Sequence, residues 1–100
     1  MTDSLETLLM LKLSVQRALL GEVTPRLVSV TCGLSGHVVQ VRCYFSGRIT
    51  AEDTETVSRI AGEVIADFPE GYSIEESCRS TEDESQQMLD FWAFVRANAQ

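Results

Sequence analysis

The segment TAEDTETVSRIAGEVIADFPEGYSIEESCRS, residues 50–80, decides the fold because its hydrophobic period changes halfway along. In its first half, apolar residues recur at helical spacing: Val57, Ile60, Ala61, Val64, Ile65 and Phe68. Thr50 is placed to cap this helix, and Asp53 occupies the third helical position, as in a capping box. Pro69 cannot continue a helix. We therefore predict one amphipathic helix that ends at Phe68.

The second half of the segment, YSIEESCRS, alternates as a β-strand does. Tyr72, Ile74, Glu76 and Cys78 would share one face, whereas Ser73, Glu75, Ser77 and Arg79 would share the other. We expect the more apolar of these two faces to meet the helix.

Before the helix, RLVSVTCGLSGHVVQVRCYFSG (residues 26–47) predicts a β-hairpin with GLSG as its turn. If Cys32 lies opposite His37, then Val30 faces Val39 and Val28 faces Val41. This register makes one face continuously apolar through Val28, Val30, Cys32, Val39, Val41, Cys43 and Phe45. It places Cys43 opposite Arg26, so a disulfide within the hairpin is not expected.

The N-terminal residues predict a further helix, from Leu5 to Leu20, capped by Ser4 and ended by Gly21 and Pro25. Its apolar arc is wide: Leu5, Leu8, Leu9, Leu11, Val15, Ala18 and Leu19. Lys12 and Gln16 fall inside the arc. Either Lys12 extends its ammonium past apolar neighbours, or the helix is covered on two sides, for instance by a second copy. We favour the first interpretation.

At the C-terminal end, STEDESQQ predicts a polar loop and LDFWAFVRA a strand. A helix continuing from Ser80 is the alternative, but the crowded aromatic and β-branched residues favour the strand. Phe91, Ala93 and Val95 would point toward the helices, and Trp92, Phe94 and Arg96 would point away.

The predicted element order is αββαββ, an α+β fold in which residues 1–100 form a single domain. Its four-stranded, mainly antiparallel sheet has both helices packed on one face, with a right-handed β2–α2–β3 crossover. The opposite face would expose a set rich in interface residue types: Gln40, Arg42, Tyr44, Glu75, Arg79, Trp92, Phe94 and Arg96. Such a face indicates a binding surface.

Charge is distributed unevenly along the chain. Residues 1–50 carry five basic and three acidic residues, whereas residues 51–100 carry three basic and twelve acidic ones. This distribution argues against nucleic acid or an anionic membrane as the partner, since both require a basic surface. It indicates either a basic partner or a merely solvated acidic surface, of which the second is the commoner in proteins.

The sequence contains no recognisable catalytic or metal-binding motif. Cys32, Cys43 and Cys78 form no CxxC pair, and His37 lies beyond a turn without an orienting group. We expect no enzyme activity, cofactor or metal. The odd number of cysteines, with no signal-peptide pattern or membrane span, predicts a soluble cytoplasmic protein with reduced thiols.

Three strings resemble a family of small bacterial proteins over nearly the whole chain: LKLSVQRALLGEVTPRLVSV, VRCYFSGRITAEDTETVSRIAGEVIADFPEGYSIEES and DFWAFVR. The family is that of immunity proteins of contact-dependent growth inhibition systems. The loop STEDESQQMLD departs from the family pattern.

This resemblance implies a protein that binds and neutralises a cognate toxin domain, often a nuclease with a basic active site, and so protects the bacterium that makes both. An acidic surface suits such a partner. The candidate binding residues are Glu63, Asp67, Glu70, Glu76, Glu82, Asp83 and Glu84, with Tyr44, Trp92, Phe94 and Arg96 as a secondary set. The alternative is a homodimeric interaction module that has no toxin partner.

Overall fold

The computed structural model describes residues 2–97, with side chains from residue 5 onward. Its elements are α1 (Thr2–Ala18), β1 (Leu27–Ser35), β2 (Val38–Phe45), α2 (Ala51–Ala66), β3 (Ser73–Ser80) and β4 (Phe91–Val95). The sheet order is β3-β2-β1-β4. β2 pairs with β1 and β1 with β4 antiparallel, while β2 and β3 are parallel. The predicted αββαββ order, the mainly antiparallel sheet and the C-terminal strand are confirmed.

Helix α2 begins and packs as the sequence predicts. The Thr50 hydroxyl accepts a hydrogen bond from the Asp53 N–H at 3.1 Å, and the Asp53 carboxylate accepts one from the Thr50 N–H at 3.0 Å. The predicted apolar stripe is buried at Val57, Ile60, Ala61 and Val64. It packs in one core with Leu11 and Val15 of α1 and with the inward residues of the sheet: Val30, Cys32, Val39, Val41, Cys43 and Phe45.

The Asp53 carboxylate has a second role that the sequence did not indicate. It is nearly buried and accepts hydrogen bonds from Arg26 Nε, at 3.1 Å to each oxygen, and from an Arg26 terminal nitrogen at 2.7 Å. The Arg26 hydrogen bond lowers the pKa of Asp53. This ion pair joins the start of the hairpin to the first turn of α2.

Helix α1 differs from the prediction at both ends. It begins at Thr2, so Ser4 lies inside it and the predicted cap is wrong. It ends at Ala18, three residues before Gly21, whose φ of 81° is the left-handed conformation that glycine adopts after a helix. Lys12 Nζ lies 5.2 Å from the centroid of the Phe91 ring. This cation–π contact supports the interpretation in which Lys12 extends past its apolar neighbours.

The predicted hairpin register is wrong by four residues. Cys32 pairs with Val41 rather than His37, and Val30 pairs with Cys43. The cause is the turn: β1 continues to Ser35, which pairs directly with Val38 across a two-residue turn. Because the displacement is even, the same residues still face the core. A bulge at Val28 brings Leu27 into the core instead of Val28.

Candidate functional site

Six of the seven sequence-predicted acidic residues fall into two groups at opposite ends of β3. Glu63, Asp67 and Glu70 lie where α2 ends and β3 begins; we call them the helix-end acids. Glu82, Asp83 and Glu84 follow the last residue of β3; we call them the loop acids. The strand between them spans about 23 Å, at roughly 3.3 Å per residue. The seven acids therefore do not form one continuous patch.

Asp67, a helix-end acid, is part of the contact between the two helices. Its carboxylate accepts a hydrogen bond from Ser14 Oγ at 2.7 Å and forms an ion pair with Arg17. Arg59, two turns earlier on the same side of α2, forms an ion pair with Glu22 at 3.1 Å. Glu63 lies on this line between them and is exposed. The paired charges largely compensate one another, whereas Glu63 has no ion-pair partner within residues 5–97.

The loop acids are likewise partly compensated. Glu84 forms an ion pair with Arg79 at 2.9 Å. Glu82 and Asp83 are exposed, and within residues 5–97 neither side chain has an ion-pair partner. These two carboxylates are the part of the group that is free to meet a partner.

Glu76 lies apart from both groups, in the middle of β3. It pairs with the core residue Val41 and therefore points to the helix side, where its carboxylate accepts a hydrogen bond from Ser58 Oγ at 2.7 Å. Glu75 points to the opposite side, as predicted from strand alternation. Glu76 is exposed, and its hydrogen bond to Ser58 also links the edge strand β3 to α2.

The sheet face opposite the helices is partly covered, whereas the prediction left it open. The segment Thr81–Asp90 crosses it and is held by three buried polar residues of the sheet. Ser29 Oγ donates to the Gln86 side chain, Thr31 Oγ1 accepts from the Leu89 N–H at 2.8 Å, and the Tyr44 hydroxyl accepts from the Gln87 N–H at 3.0 Å. We call this segment the covering loop.

Because of the covering loop, Tyr44 is completely buried and is not a surface residue for a partner. The expectation that it is exposed on the sheet face is wrong. Trp92 does lie on this face, half-buried, opposite Thr31 and with its ring 6.5 Å from the Tyr44 ring.

The predicted orientation of Phe94 is also wrong. Trp92 pairs with Thr31 and Phe94 with Val30, so Ala93 is an extra residue in a β-bulge. The bulge turns Phe94 toward the core, against which it packs, and leaves Val95 exposed. Arg96 is exposed and its guanidinium donates to the Pro25 carbonyl. Of the secondary set, Trp92 and Arg96 remain accessible.

The thiols are unsuited to nucleophilic chemistry. Cys32 and Cys43 are fully buried, and all three cysteines are free. Burial raises the pKa of Cys32 to about 12 and also raises that of Cys43. His37 is exposed, with its ring 4.7 Å from that of Tyr72. Among the described residues, no group of three His, Cys, Asp or Glu is arranged to hold a metal ion.

Sequence reasoning missed an exposed apolar surface on α1 and the turn that follows it. Leu5, Leu9, Leu13 and Leu20 are 64%, 53%, 71% and 77% exposed. Beside Leu9 and Leu13 runs a groove of about 460 Å³ that Arg17 and Asp67 also line. The signal was present in the sequence: Leu13 and Leu20 are apolar but lie outside the predicted core arc.

No helix within residues 2–97 combines the length and apolar character needed to cross a membrane. A search of curated proteins finds no match to this sequence. A family model described as "MafI2 immunity protein" matches residues 9–98, which is nearly the whole chain. An immunity protein is an inhibitor of a toxin and not an enzyme. The chain therefore belongs to the MafI2 immunity protein family and has a cognate toxin as its partner.

Proposed function

We propose that this protein neutralises a cognate nuclease toxin by binding it through an acidic surface, in the cytoplasm of the bacterium that produces both. The observation that carries the proposal is the net charge of −7 in a chain whose family binds toxins. Nucleases present basic clefts to their substrate, and an acidic inhibitor is complementary to such a cleft. Contact-dependent delivery of the toxin is part of the same proposal.

The contacts of the acidic residues support two different roles for them, stabilising the fold and attracting the toxin. Asp67, Glu76 and Glu84 each hold a neighbouring side chain, so they stabilise the fold. Glu63, Glu70, Glu82 and Asp83 are exposed and have no such contact within residues 5–97. These four provide the negative potential that steers the toxin during association.

Co-expression tests the proposal directly. The probe is the C-terminal domain of the large secreted protein that we expect to be encoded directly upstream. We expect this domain to degrade nucleic acid and arrest growth, and co-expression of the full chain to restore growth. The variant Glu63→Lys/Glu70→Lys/Glu82→Lys/Asp83→Lys should fold but fail to protect. Full protection by this variant, or a toxin without nuclease activity, would contradict the proposal.

The alternative of a homodimeric module without a toxin partner is disfavoured by the family assignment. Its aromatic docking face is also reduced to Trp92, since the covering loop buries Tyr44 and Phe94 packs against the core.

A further inference from the structure

Three exposed leucines of α1 form one stripe, which a fourth leucine follows. Leu5, Leu9 and Leu13 are spaced by four residues and so lie along one side of the helix, and Leu20 lies in the turn just after it. Each is more than half exposed. Soluble monomers rarely leave such a row of large apolar side chains in water unless it serves an interface. We call these four residues the α1 stripe.

Charged residues of both signs border the α1 stripe. Glu6 and Asp67 line the groove beside Leu9 and Leu13, together with Arg17, which is paired with Asp67. Lys12, one turn after Leu9, is exposed and extends over the Phe91 ring. Within residues 5–97 neither Glu6 nor Lys12 has an ion-pair partner. The surface thus has the anatomy of a protein interface, with an apolar centre and a polar rim.

The loop acids have no comparable apolar centre. Their neighbours along the chain are Ser85, Gln86 and Gln87, and Met88 is the exposed large apolar side chain of that segment. Charge alone gives fast encounter but little residence time, which depends mainly on desolvated apolar contacts. Of the two acidic groups, only the helix-end acids include a residue, Asp67, beside an exposed apolar surface that could keep a partner bound.

The net charge of the chain favours a basic partner over a second copy. A two-fold dimer through the α1 stripe would bring the same surface of two chains together. Each chain has a net charge of −7, so two copies repel one another, whereas a basic surface is attracted.

We propose that the α1 stripe, together with the groove that the helix-end acid Asp67 lines, is the surface on which the toxin docks. The toxin face that fits it is an apolar ridge flanked by lysine or arginine side chains. This inference rests on the proposed function and selects one of its two acidic groups. The loop acids then serve solubility and long-range attraction rather than contact.

The test compares binding of the full chain and its variants to a catalytically inactive form of the upstream toxin domain. Leu9→Gln/Leu13→Gln removes the apolar centre at exposed positions, where the fold should be retained. Met88→Gln and Val23→Gln are the matched controls, being apolar side chains of similar exposure elsewhere. We expect the double variant to raise Kd by about 30-fold or more, mainly through faster dissociation, and the controls to change it by less than about threefold.

Circular dichroism verifies that each variant is folded, and light scattering gives its oligomeric state. Unchanged toxin binding by Leu9→Gln/Leu13→Gln overturns the inference while leaving the proposed function intact. A wild-type dimer that this variant converts to monomer without loss of toxin binding also overturns it, because the stripe would then serve a second copy. If the wild-type chain does not bind the toxin at all, the proposed function fails with it.

Discussion

The Tyr44 hydroxyl accepts a hydrogen bond from the Gln87 N–H at 3.0 Å, and this bond fastens the covering loop to the middle of the sheet. Tyr44 is fully buried as a result. A sheet with helices on one face would otherwise expose its second face to water. Here a polar segment of the chain covers that face, held by hydroxyl groups at Ser29, Thr31 and Tyr44.

Removing the Tyr44 hydroxyl should loosen the covering loop. We expect Tyr44→Phe to lower the free energy of unfolding by about 1 kcal/mol, since the Gln87 N–H loses its partner. Amide exchange at Gln87 should also become faster. Urea unfolding and hydrogen exchange measure the two effects. Tyr72→Phe is the control, because the Tyr72 hydroxyl makes no hydrogen bond within the described part of the chain. Equal behaviour of the two variants would contradict this role of Tyr44.

The ion pair between Arg26 and Asp53 should make stability depend on acid pH. Arg26 lowers the pKa of Asp53 below its ordinary value of 3.8. The stabilisation is therefore fully present above pH 3.8 and is lost as the pH falls through the lowered pKa. Asp53→Asn should cost about 1–3 kcal/mol at pH 7, because the cap and the charged hydrogen bonds are both weakened. The difference in free energy of unfolding between Asp53→Asn and the wild type should become smaller at acid pH.

Urea unfolding between pH 7 and pH 2 measures this dependence. Glu55→Gln is the matched control, since Glu55 is exposed on the same helix and has no ion pair among residues 5–97. It should change stability by less than about 0.5 kcal/mol. If Asp53→Asn lowers the free energy of unfolding by the same amount at pH 2 as at pH 7, this explanation is wrong.

The two glycines Gly33 and Gly62 should respond in opposite ways to the same substitution. A Cβ at Gly33 would lie 3.0 Å from Asp90 Cγ and 3.1 Å from the Asp90 backbone nitrogen. That N–H donates a hydrogen bond to the Cys32 carbonyl, so it cannot easily move away. We expect Gly33→Ala to destabilise the protein by about 1–3 kcal/mol. At Gly62, on the exposed side of α2, nothing lies within 4 Å of the added Cβ. Gly62→Ala should stabilise the protein by about 0.5–1 kcal/mol.

Thermal and urea unfolding of the two variants provide the measurement. Neutral behaviour of Gly33→Ala would mean that the start of β4 can move away from β1 without cost. The close approach of Asp90 to the sheet would then not be a constraint on the covering loop.

Local patterns predicted most of the fold correctly. The capping box at Thr50, the apolar stripe of α2 and the alternation of β3 depend on neighbouring residues only. The predicted hairpin register was wrong because the register depends on the length of the turn, and the GLSG sequence is compatible with more than one turn length. The orientation of Phe94 failed because a bulge at Ala93 is set by pairing with β1 and leaves no mark in the strand's own sequence.

The candidate site was less predictable, because it depends on contacts between distant segments. Nothing in STEDESQQ shows that this loop lies over Tyr44, some forty residues away. The sequence did identify the acidic residues, but which of them are compensated depends on Arg17 and Arg79 after folding. The α1 stripe could have been noticed, since Leu13 and Leu20 had no place in the predicted core.

The central claim is that the negative potential of this protein attracts a basic toxin, and the salt dependence of association tests it most directly. Stopped-flow mixing with the inactive toxin domain should give an association rate constant that falls about tenfold or more between 50 mM and 500 mM salt. Glu63→Lys/Glu70→Lys should slow association further than Glu82→Lys/Asp83→Lys, although both change the charge equally. An association rate that does not depend on salt, and that neither variant alters, would contradict the account.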